Sequence, residues 1–417
     1  MAVIAAVTIA LLGLASARLN PDLSATPSMG WNSWNHYGLD ISEQVVKDTA
    51  DAFIRLGLDK LGFKYINIDD GWAHVNRSAD GHVIVNKTKF PNGIKHVTDY
   101  VHSLGLKFGI YSDGGVYTCG GQAGSLGYEA IDAHDYAEWG VDYLKYDNCN
   151  NQGIPSIIRY TAMAQALNNT DRDIFFSLCN WGNENITQWA YTIGGNSWRI
   201  SGDIWDSFDG VIRNLKWSVD EFNPNGYGPR IGWNDPDMLE VGNGGMSYDE
   251  YITHFSLWCL LKAPLLIGND VTKMTKEDDA YWILSNTEAL AVNQDPLGVE
   301  GKCVKGCSSY DGIQVWTAPL SGDGAYAIVV ANLGTWDLWG DRVCWKDIGL
   351  GHDTFHVRDL WEHRNYGIHN ECFGSFFGLK SHHSRFLKVT KANVGDCELH
   401  PEDSTAFRST PCRTLEF

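Results

Sequence analysis

The chain has 417 residues, 44% of them hydrophobic and 20% charged, the proportions of a globular protein with one large domain and a smaller one. Its 51 acidic residues outnumber 32 basic ones, for a formal net charge of −19. No basic cluster is present to neutralise phosphates, which excludes nucleic acid as a partner class.

Met1 to Ala17 is apolar, free of acidic residues, and ends Ala15-Ser16-Ala17. This reads as a signal peptide over residues 1–17, although its first residues lack the usual positive charge. No later segment is long and apolar enough to span a membrane. Asn-x-Ser/Thr sequons at Asn76, Asn86, Asn168 and Asn185 agree with export and are the expected glycosylation sites. The destination is then secretion or a lysosome- or vacuole-type compartment.

Ser28-Met29-Gly30-Trp31-Asn32-Ser33-Trp34 opens the fold. Helical periodicity covers Ser42 to Leu56, and Phe63 to Ile68 reads as a strand ending Asp69-Asp70-Gly71-Trp72. A helix at Val97 to Leu104 precedes a strand at Lys107 to Tyr111 ending near Asp113. A helix at Tyr128 to Gly140 leads into Tyr143-Leu144-Lys145-Tyr146-Asp147-Asn148-Cys149, a buried strand running into a loop. Helix Ser156 to Leu167 is followed by strand Ile174 to Leu178, which ends Cys179-Asn180-Trp181. Short strands follow at Ser197 to Ile200, with Asp203 just beyond, and near Arg230 to Trp233, before Asn234-Asp235-Pro236-Asp237-Met238. A helix at Tyr248 to Leu261, a strand at Pro264 to Ile267 and a helix at Ile283 to Val292 complete the series.

This strand–helix alternation, repeated about eight times with polar residues at nearly every strand end, predicts a (β/α)8 TIM barrel over residues 18–300. A doubly wound sheet is the rival arrangement, but no glycine-rich phosphate loop follows the first strand. Past Gly298 the helical period fades. Gln314 to Pro319, Ala325 to Leu333, Phe355 to Leu360 and Ser384 to Thr390 are short β patterns. They predict a C-terminal antiparallel β-sandwich domain over 301–391, with a cysteine-containing tail at 392–417.

Ten cysteines in an exported chain are candidate disulfides. Cys119 and Cys149 each lie just past a predicted strand and can bridge. Cys179 and Cys259 sit among apolar residues and read as buried thiols. The pairing of Cys303, Cys307, Cys344, Cys372, Cys397 and Cys412 is open.

On the strand at Tyr143, alternation puts Lys145 and Asp147 on one face. The cation keeps the carboxylate ionised, and an ionised carboxylate can attack carbon. An isolated Lys-x-Asp is more often a structural ion pair. Asp203, from another strand end of the same barrel mouth, supplies a second carboxyl group. Cleaving a glycosidic bond with retention needs such a pair about 5–5.5 Å apart. Asp after a strand is otherwise most often a helix cap. Arg199 can hold a sugar hydroxyl or tune Asp203. Asp69 and Asp70 can accept hydrogen bonds from hydroxyls. Trp31, Trp72 and Trp181 offer flat apolar faces, although tryptophan is more often core. Asp237 is pinned by Pro236, and Asp113 reads as structural. No metal pattern is present, and no cofactor is implied.

These segments resemble glycoside hydrolase family 27, the α-galactosidases and α-N-acetylgalactosaminidases. The likeness rests on Met29-Gly30-Trp31-Asn32-Ser33-Trp34, Ile68-Asp69-Asp70, Gly109-Ile110-Tyr111-Ser112-Asp113, the Tyr143–Cys149 stretch, Trp198-Arg199, Trp233-Asn234-Asp235-Pro236-Asp237-Met238 and Ala291-Val292-Asn293-Gln294-Asp295. The resemblance implies a retaining α-galactosidase, with Asp147 the nucleophile and Asp203 the acid/base. It assigns Trp31, Asp69, Asp70, Tyr111 and Lys145 to the 3-, 4- and 6-hydroxyl side of galactose, and Arg199 with Asp203 to the 2-hydroxyl side. It makes Cys119–Cys149 a cystine at the pocket wall and Asp237 and Met238 its rim. Cys179 and Trp181 are similar to the plant galactosidase pocket near the 2-hydroxyl, where the N-acetylgalactosaminidases carry small residues. An α-N-acetylgalactosaminidase or a β-L-arabinopyranosidase is the alternative activity, and an inactive galactose-binding protein the alternative of another class. Leu39 and Gly71 stand where many relatives carry a bridged cysteine pair, and Asn180 where glutamate is common. The implied partner is an α-galactoside: oligosaccharide, polysaccharide or glycolipid. The oligomeric state is not legible.

Overall fold

A computed structural model describes residues 20–220, 227–338, 342–374 and 378–392. The leader at 1–17, Cys397, Cys412 and the tail beyond 392 lie outside them. The chain divides into two compact units: residues to Met246 with Ala263–Ser285, and Ser247–Lys262 with the residues from Asn286 on.

The first unit contains eight parallel strands: β1 (Met29–Asn32), β2 (Tyr65–Asn67), β3 (Lys107–Asp113), β4 (Tyr143–Asp147), β5 (Phe175–Cys179), β6 (Ser197–Arg199), β7 (Trp233–Asp235) and β8 (Leu265–Ile267). Their order in the sheet is β8-β1-β2-β3-β4-β5-β6-β7. A parallel bridge between Leu239, just past β7, and Ile267 on β8 closes the ring. The strands are short and almost wholly buried, because a parallel barrel covers both faces of its sheet. Each predicted strand is present, with bounds shifted by a few residues.

Register arranges the interior in layers. Tyr143 pairs with Phe175 and with Gly109 on its other side, and two residues on, Lys145 pairs with Tyr111 and Ser177. Two further, Asp147 faces Asp113 and Cys179. The lowest layer is aromatic: Tyr143 and Phe175 stack at 4.7 Å, and Tyr65 packs edge-on at 5.3 Å. The layers above it become polar, so the charged groups emerge at the C-terminal mouth. Glycine makes this packing possible: a Cβ on Gly30 would lie 2.3 Å from the carbonyl oxygen of Tyr65, and one on Gly109 would lie 2.0 Å from Asn67 Oδ1.

Helices follow the strands with local capping. Glu43–Leu56 starts on the Ser42 hydroxyl, which accepts from Val45 N–H, and stops at Gly57 with φ 76°. The helix Phe208–Asp220 has no counterpart in the sequence reading. The single helix expected at Ile283 to Val292 is two, Asp279–Leu284 and Thr287–Asn293. Asn286 breaks them, its side chain capping the second by accepting from Glu288 and Ala289 N–H.

The second unit carries a six-stranded antiparallel sheet in the order Lys302–Lys305, Ile313–Pro319, Ala325–Asn332, Ser384–Lys391, Thr354–Asp359, Arg364–Asn370. Val343–Cys344 and Cys372–Phe373 form a small separate ladder. Val315, Ile328, Val330, Trp345, Phe355, Leu387 and Val389 fill the core. Disulfides join Cys303 to Cys307 and Cys344 to Cys372. The helix Tyr248–Leu260 groups with this unit and opens on a reciprocal Ser247–Glu250 capping box.

Gly30→Ala is expected to destabilise the barrel by about 3 kcal/mol or lose the soluble fold, since the clash is with backbone that cannot rotate away. Urea denaturation followed by tryptophan fluorescence measures this; a shift below about 1 kcal/mol would contradict the close β1–β2 approach.

Candidate active site

The mouth of the barrel is built outward from β4. Asp147 is its last residue and is 5% exposed. Its Oδ2 accepts the Tyr111 hydroxyl at 3.0 Å and its Oδ1 the Asn148 N–H at 2.9 Å. Lys145, one pleat below, donates from Nζ to Asp69 Oδ2 at 2.7 Å, and Asn32 Nδ2 donates to the same oxygen at 2.9 Å. Ser33 Oγ accepts Asp69 N–H, which fixes the end of β2. Asp70 accepts the N–H groups of Gly71 and Gly120, so a carboxylate from the segment after β2 holds the loop that follows β3.

Across the mouth, Arg199 ends β6. Its guanidinium lies 3.1 Å from Asp203 Oδ1 and 3.0 Å from Asp237 Oδ2, and donates to Ser201 O. Asp203 is the exposed member, with 68% of its side chain accessible, against 5% for Asp237. Asp237 has φ 88°, unusual for a side-chain-bearing residue. Three contacts sustain it: its N–H donates to Asp235 Oδ1, and its own oxygens accept Ile204 and Met238 N–H. Trp181 also has positive φ, 60°. Non-glycine strain of this kind persists where surrounding contacts impose it, and it clusters at functional sites.

The Cys119–Cys149 disulfide forms and joins the loops after β3 and β4. Asp113 sits beneath it, fully buried, accepting Gly115 and Cys149 N–H, which gives it the structural role expected. Cys179 and Cys259 are buried free thiols.

These groups enclose a cavity of about 150 Å³. That is below the roughly 300–1,000 Å³ of drug-sized sites and suits one sugar ring. Asp69, Asp70, Tyr111, Cys119, Lys145, Asp147, Trp181, Arg199, Asp203, Asp237 and Met238 all line it. Three residues expected at the surface do not: Trp72, buried with its indole N–H donating to Tyr111 O, Trp31 and Cys179. Trp31 is fully buried, its indole N–H donating to Asn269 O. Cys179 lies behind Arg199, whose Nη1 is 3.7 Å from its sulfur. Trp34 lines the cavity instead and was missed. It sits on the four-residue helix Trp34–Tyr37, too short for periodicity to flag. Asn180 is buried, with its amide donating to Asn183 O. Leu39 does lie against Gly71: a Cβ there would be 2.8 Å from the Leu39 carbonyl oxygen.

Electrostatics separate the carboxyl groups. Burial, partly offset by Lys145 and the Asn148 N–H, pushes Asp147 up to about 6, and the charges of Asp69 and Asp203 add to the rise. Burial acts on Asp203 too, but Arg199 and Lys145 outweigh it and hold its carboxyl below the ordinary carboxylate value. Burial raises Asp70, and raises Asp113 to about 8 and Asp235 to about 6.

The profile described as alpha galactosidase A matches residues 26–295, and that described as alpha galactosidase C-terminal beta sandwich domain matches residues 310–389. The chain is 50% identical to an alpha-galactosidase of Cyamopsis tetragonoloba, over 83% of this chain and 82% of that one. It is 48% identical to an alpha-galactosidase of Oryza sativa subsp. japonica, over 85% and 82%. Among solved structures, alpha-galactosidase I from Mortierella vinacea superposes with a TM-score of 0.81 at 39% identity, covering 89% of this chain and 98% of that one. The alpha-galactosidase of Saccharomyces cerevisiae with raffinose superposes with 0.80 at 31% identity, covering 89% and 98%. An acid-lined, one-ring cavity at the mouth of a (β/α)8 barrel, with these relatives, makes the chain a glycoside hydrolase. It belongs to the α-galactosidase family, glycoside hydrolase family 27.

The raised acids set a pH dependence of stability. A carboxyl group with a higher pKa in the folded chain holds its proton more tightly there. It therefore stabilises the fold below its ordinary value and loses that contribution as pH rises through the folded value. With Asp147 and Asp235 at about 6 and Asp113 at about 8, the melting temperature should fall steadily from about pH 5 to about pH 8. Asp113→Asn should flatten the upper part of that slope. A melting temperature constant or rising over the interval would contradict the assignment.

Proposed function

We propose that the chain hydrolyses terminal α-D-galactosyl residues with retention, Asp147 acting as nucleophile and Asp203 as acid/base. The observation that carries this reading is that two carboxyl groups from separate barrel segments, β4 and the loop after β6, line one ring-sized cavity. In the first step an oxygen of Asp147 bonds to the anomeric carbon as the glycosidic C–O bond breaks. The Asp203 proton passes to the departing oxygen, which leaves as an alcohol. In the second step Asp203 takes a proton from water, the water oxygen bonds to the anomeric carbon, and Asp147 leaves as a carboxylate.

In the empty cavity the pair's proton sits mainly on Asp147, so the first step runs through the minor form in which Asp203 carries it. A sugar ring covering Asp203 strips its water and raises the share of that form. Once Asp147 is an ester its charge is gone. Arg199 and Lys145 then pull Asp203 toward the carboxylate, the form needed to activate water.

Galactose specificity is part of the proposal. Asp69 and Asp70 are kept for the hydroxymethyl end, which an arabinopyranoside lacks. Trp181 in the wall and Cys179 behind Arg199 occupy the side the family resemblance gives to the 2-hydroxyl, where an acetamide would need room. We extend the proposal to export, supported by three disulfides among the described residues and by the exposure of Asn76, Asn168 and Asn185.

Asp147→Asn should lower turnover of an α-galactoside by at least about 10⁴-fold while leaving galactose affinity by calorimetry near wild type. Retained turnover would remove Asp147 from this role. Hydrolysis should release α-galactose first by NMR, and faster release from galactosides than from N-acetylgalactosaminides or arabinopyranosides separates the alternatives. The pair keeps one proton only between the low value of Asp203 and about 6 for Asp147. Thus kcat/KM should be bell-shaped with its alkaline limb near pH 6. An optimum on the alkaline side would contradict it.

A further inference from the structure

The cavity takes one ring, so the group to which the galactosyl residue is attached must lie outside it, beside the carboxyl group that protonates the bond. The side chain best placed there is Trp205. From Asp203 to Trp205 the chain alternates exposed, buried, exposed. Ile204 turns inward, 5% exposed, with its N–H donated to Asp237 Oδ2 at 2.7 Å. Asp203 and Trp205 are thus both on the solvent side of this segment, with only Ile204, turned to the interior, between them. Trp205 is 45% exposed yet lies outside the ring of residues lining the cavity.

The indole is held in place. The Arg213 guanidinium lies 4.0 Å from the ring centroid and also donates to Asp203 O. One cation thus fixes the aromatic ring and the backbone of the acid. Trp205 O accepts Ser207 N–H at 2.7 Å, and a Cβ on Gly210 would come within 2.5 Å of that carbonyl oxygen, so the start of the helix Phe208–Asp220 presses on the Trp205 backbone. Asp206 Oδ2 accepts Gly245 N–H from the loop after β7. Among the described residues the other strongly exposed tryptophans, Trp282 and Trp336 at 63% and 77%, are far along the chain from any cavity-lining residue.

We infer that Trp205 is the platform of a leaving-group subsite, stacking its free face on the pyranose ring next to the scissile bond and so selecting saccharide leaving groups. Asp203 alone would protonate any leaving oxygen. A fixed aromatic face beside it discriminates by ring, because the apolar face of a sugar buries well on an indole and a small leaving group gains nothing there. The inference rests on the α-galactosidase reading above.

The test compares wild type, Trp205→Ala and Trp205→Phe on α-galactosyl fluoride, which has no ring in its leaving group, and on raffinose. Trp205→Ala should lower kcat/KM on raffinose by about 10-fold, and Trp205→Phe should restore most of it. Both variants should stay within about twofold of wild type on the fluoride, which also reports an intact fold. Equal losses on both substrates, or no loss on raffinose, would overturn the subsite. A wild-type protein inactive on the fluoride would instead overturn the galactosidase reading, and the subsite with it.

Discussion

The site depends on a charge imbalance. The cavity is lined by five carboxyl groups, Asp69, Asp70, Asp147, Asp203 and Asp237, against two cations, Lys145 and Arg199. Buried like charges at this density cannot all ionise without cost, and the protein distributes the cost unevenly. Lys145 is spent on Asp69 at 2.7 Å, and Arg199 on Asp237 and Asp203. Asp147 receives neutral donors, the Tyr111 hydroxyl and the Asn148 N–H. Lys145 offsets the burial of Asp147 only in part, so its carboxyl is pushed up to about 6, which is the condition of a carboxylate ready to share its charge with an electron-poor carbon.

That distribution follows from the barrel. Parallel register places Lys145 level with Tyr111 and Asp147 two residues higher, so cation, hydroxyl and carboxylate rise in fixed steps toward the mouth. The aromatic layer of Tyr65, Tyr143 and Phe175 closes the barrel beneath them. The loops add what strands cannot: an exposed Asp203 on irregular backbone, and an Asp237 in a strained conformation that turns one oxygen to Ile204 N–H and sets the other on Met238 N–H.

Much of this was legible in the amino-acid order. Apolar runs such as Ile174 to Leu178 followed by polar residues mark strands buried on both faces, and their ends proved to carry the cavity. Asp147, Lys145 and Asp203 could be placed because strand alternation and barrel geometry act over a few residues. The helix Phe208–Asp220 escaped because its inward face is partly polar. Val211 and Leu215 are fully buried there, but so are Asn214 and, nearly, Ser218. Asn214 spends its amide on Gly202 O and Pro236 O, binding together the loops that hold Asp203 and Asp237. Periodicity fails where a helix face is built to hold backbone. Trp31 and Trp34 were exchanged for a related reason: only two residues lie between them, and which indole meets the cavity depends on the turn between strand and helix.

The central claim is that the under-compensated carboxylate of Asp147 forms a covalent bond to the sugar. Incubation with a fluorinated galactosyl fluoride, which forms such an intermediate faster than water removes it, followed by peptide mass spectrometry, tests this directly. A single fluorogalactosyl label is expected on the peptide containing Asp147, absent when Asp147 is replaced by Asn. A label on Asp203 or another residue, or inactivation with no covalent adduct, would contradict it.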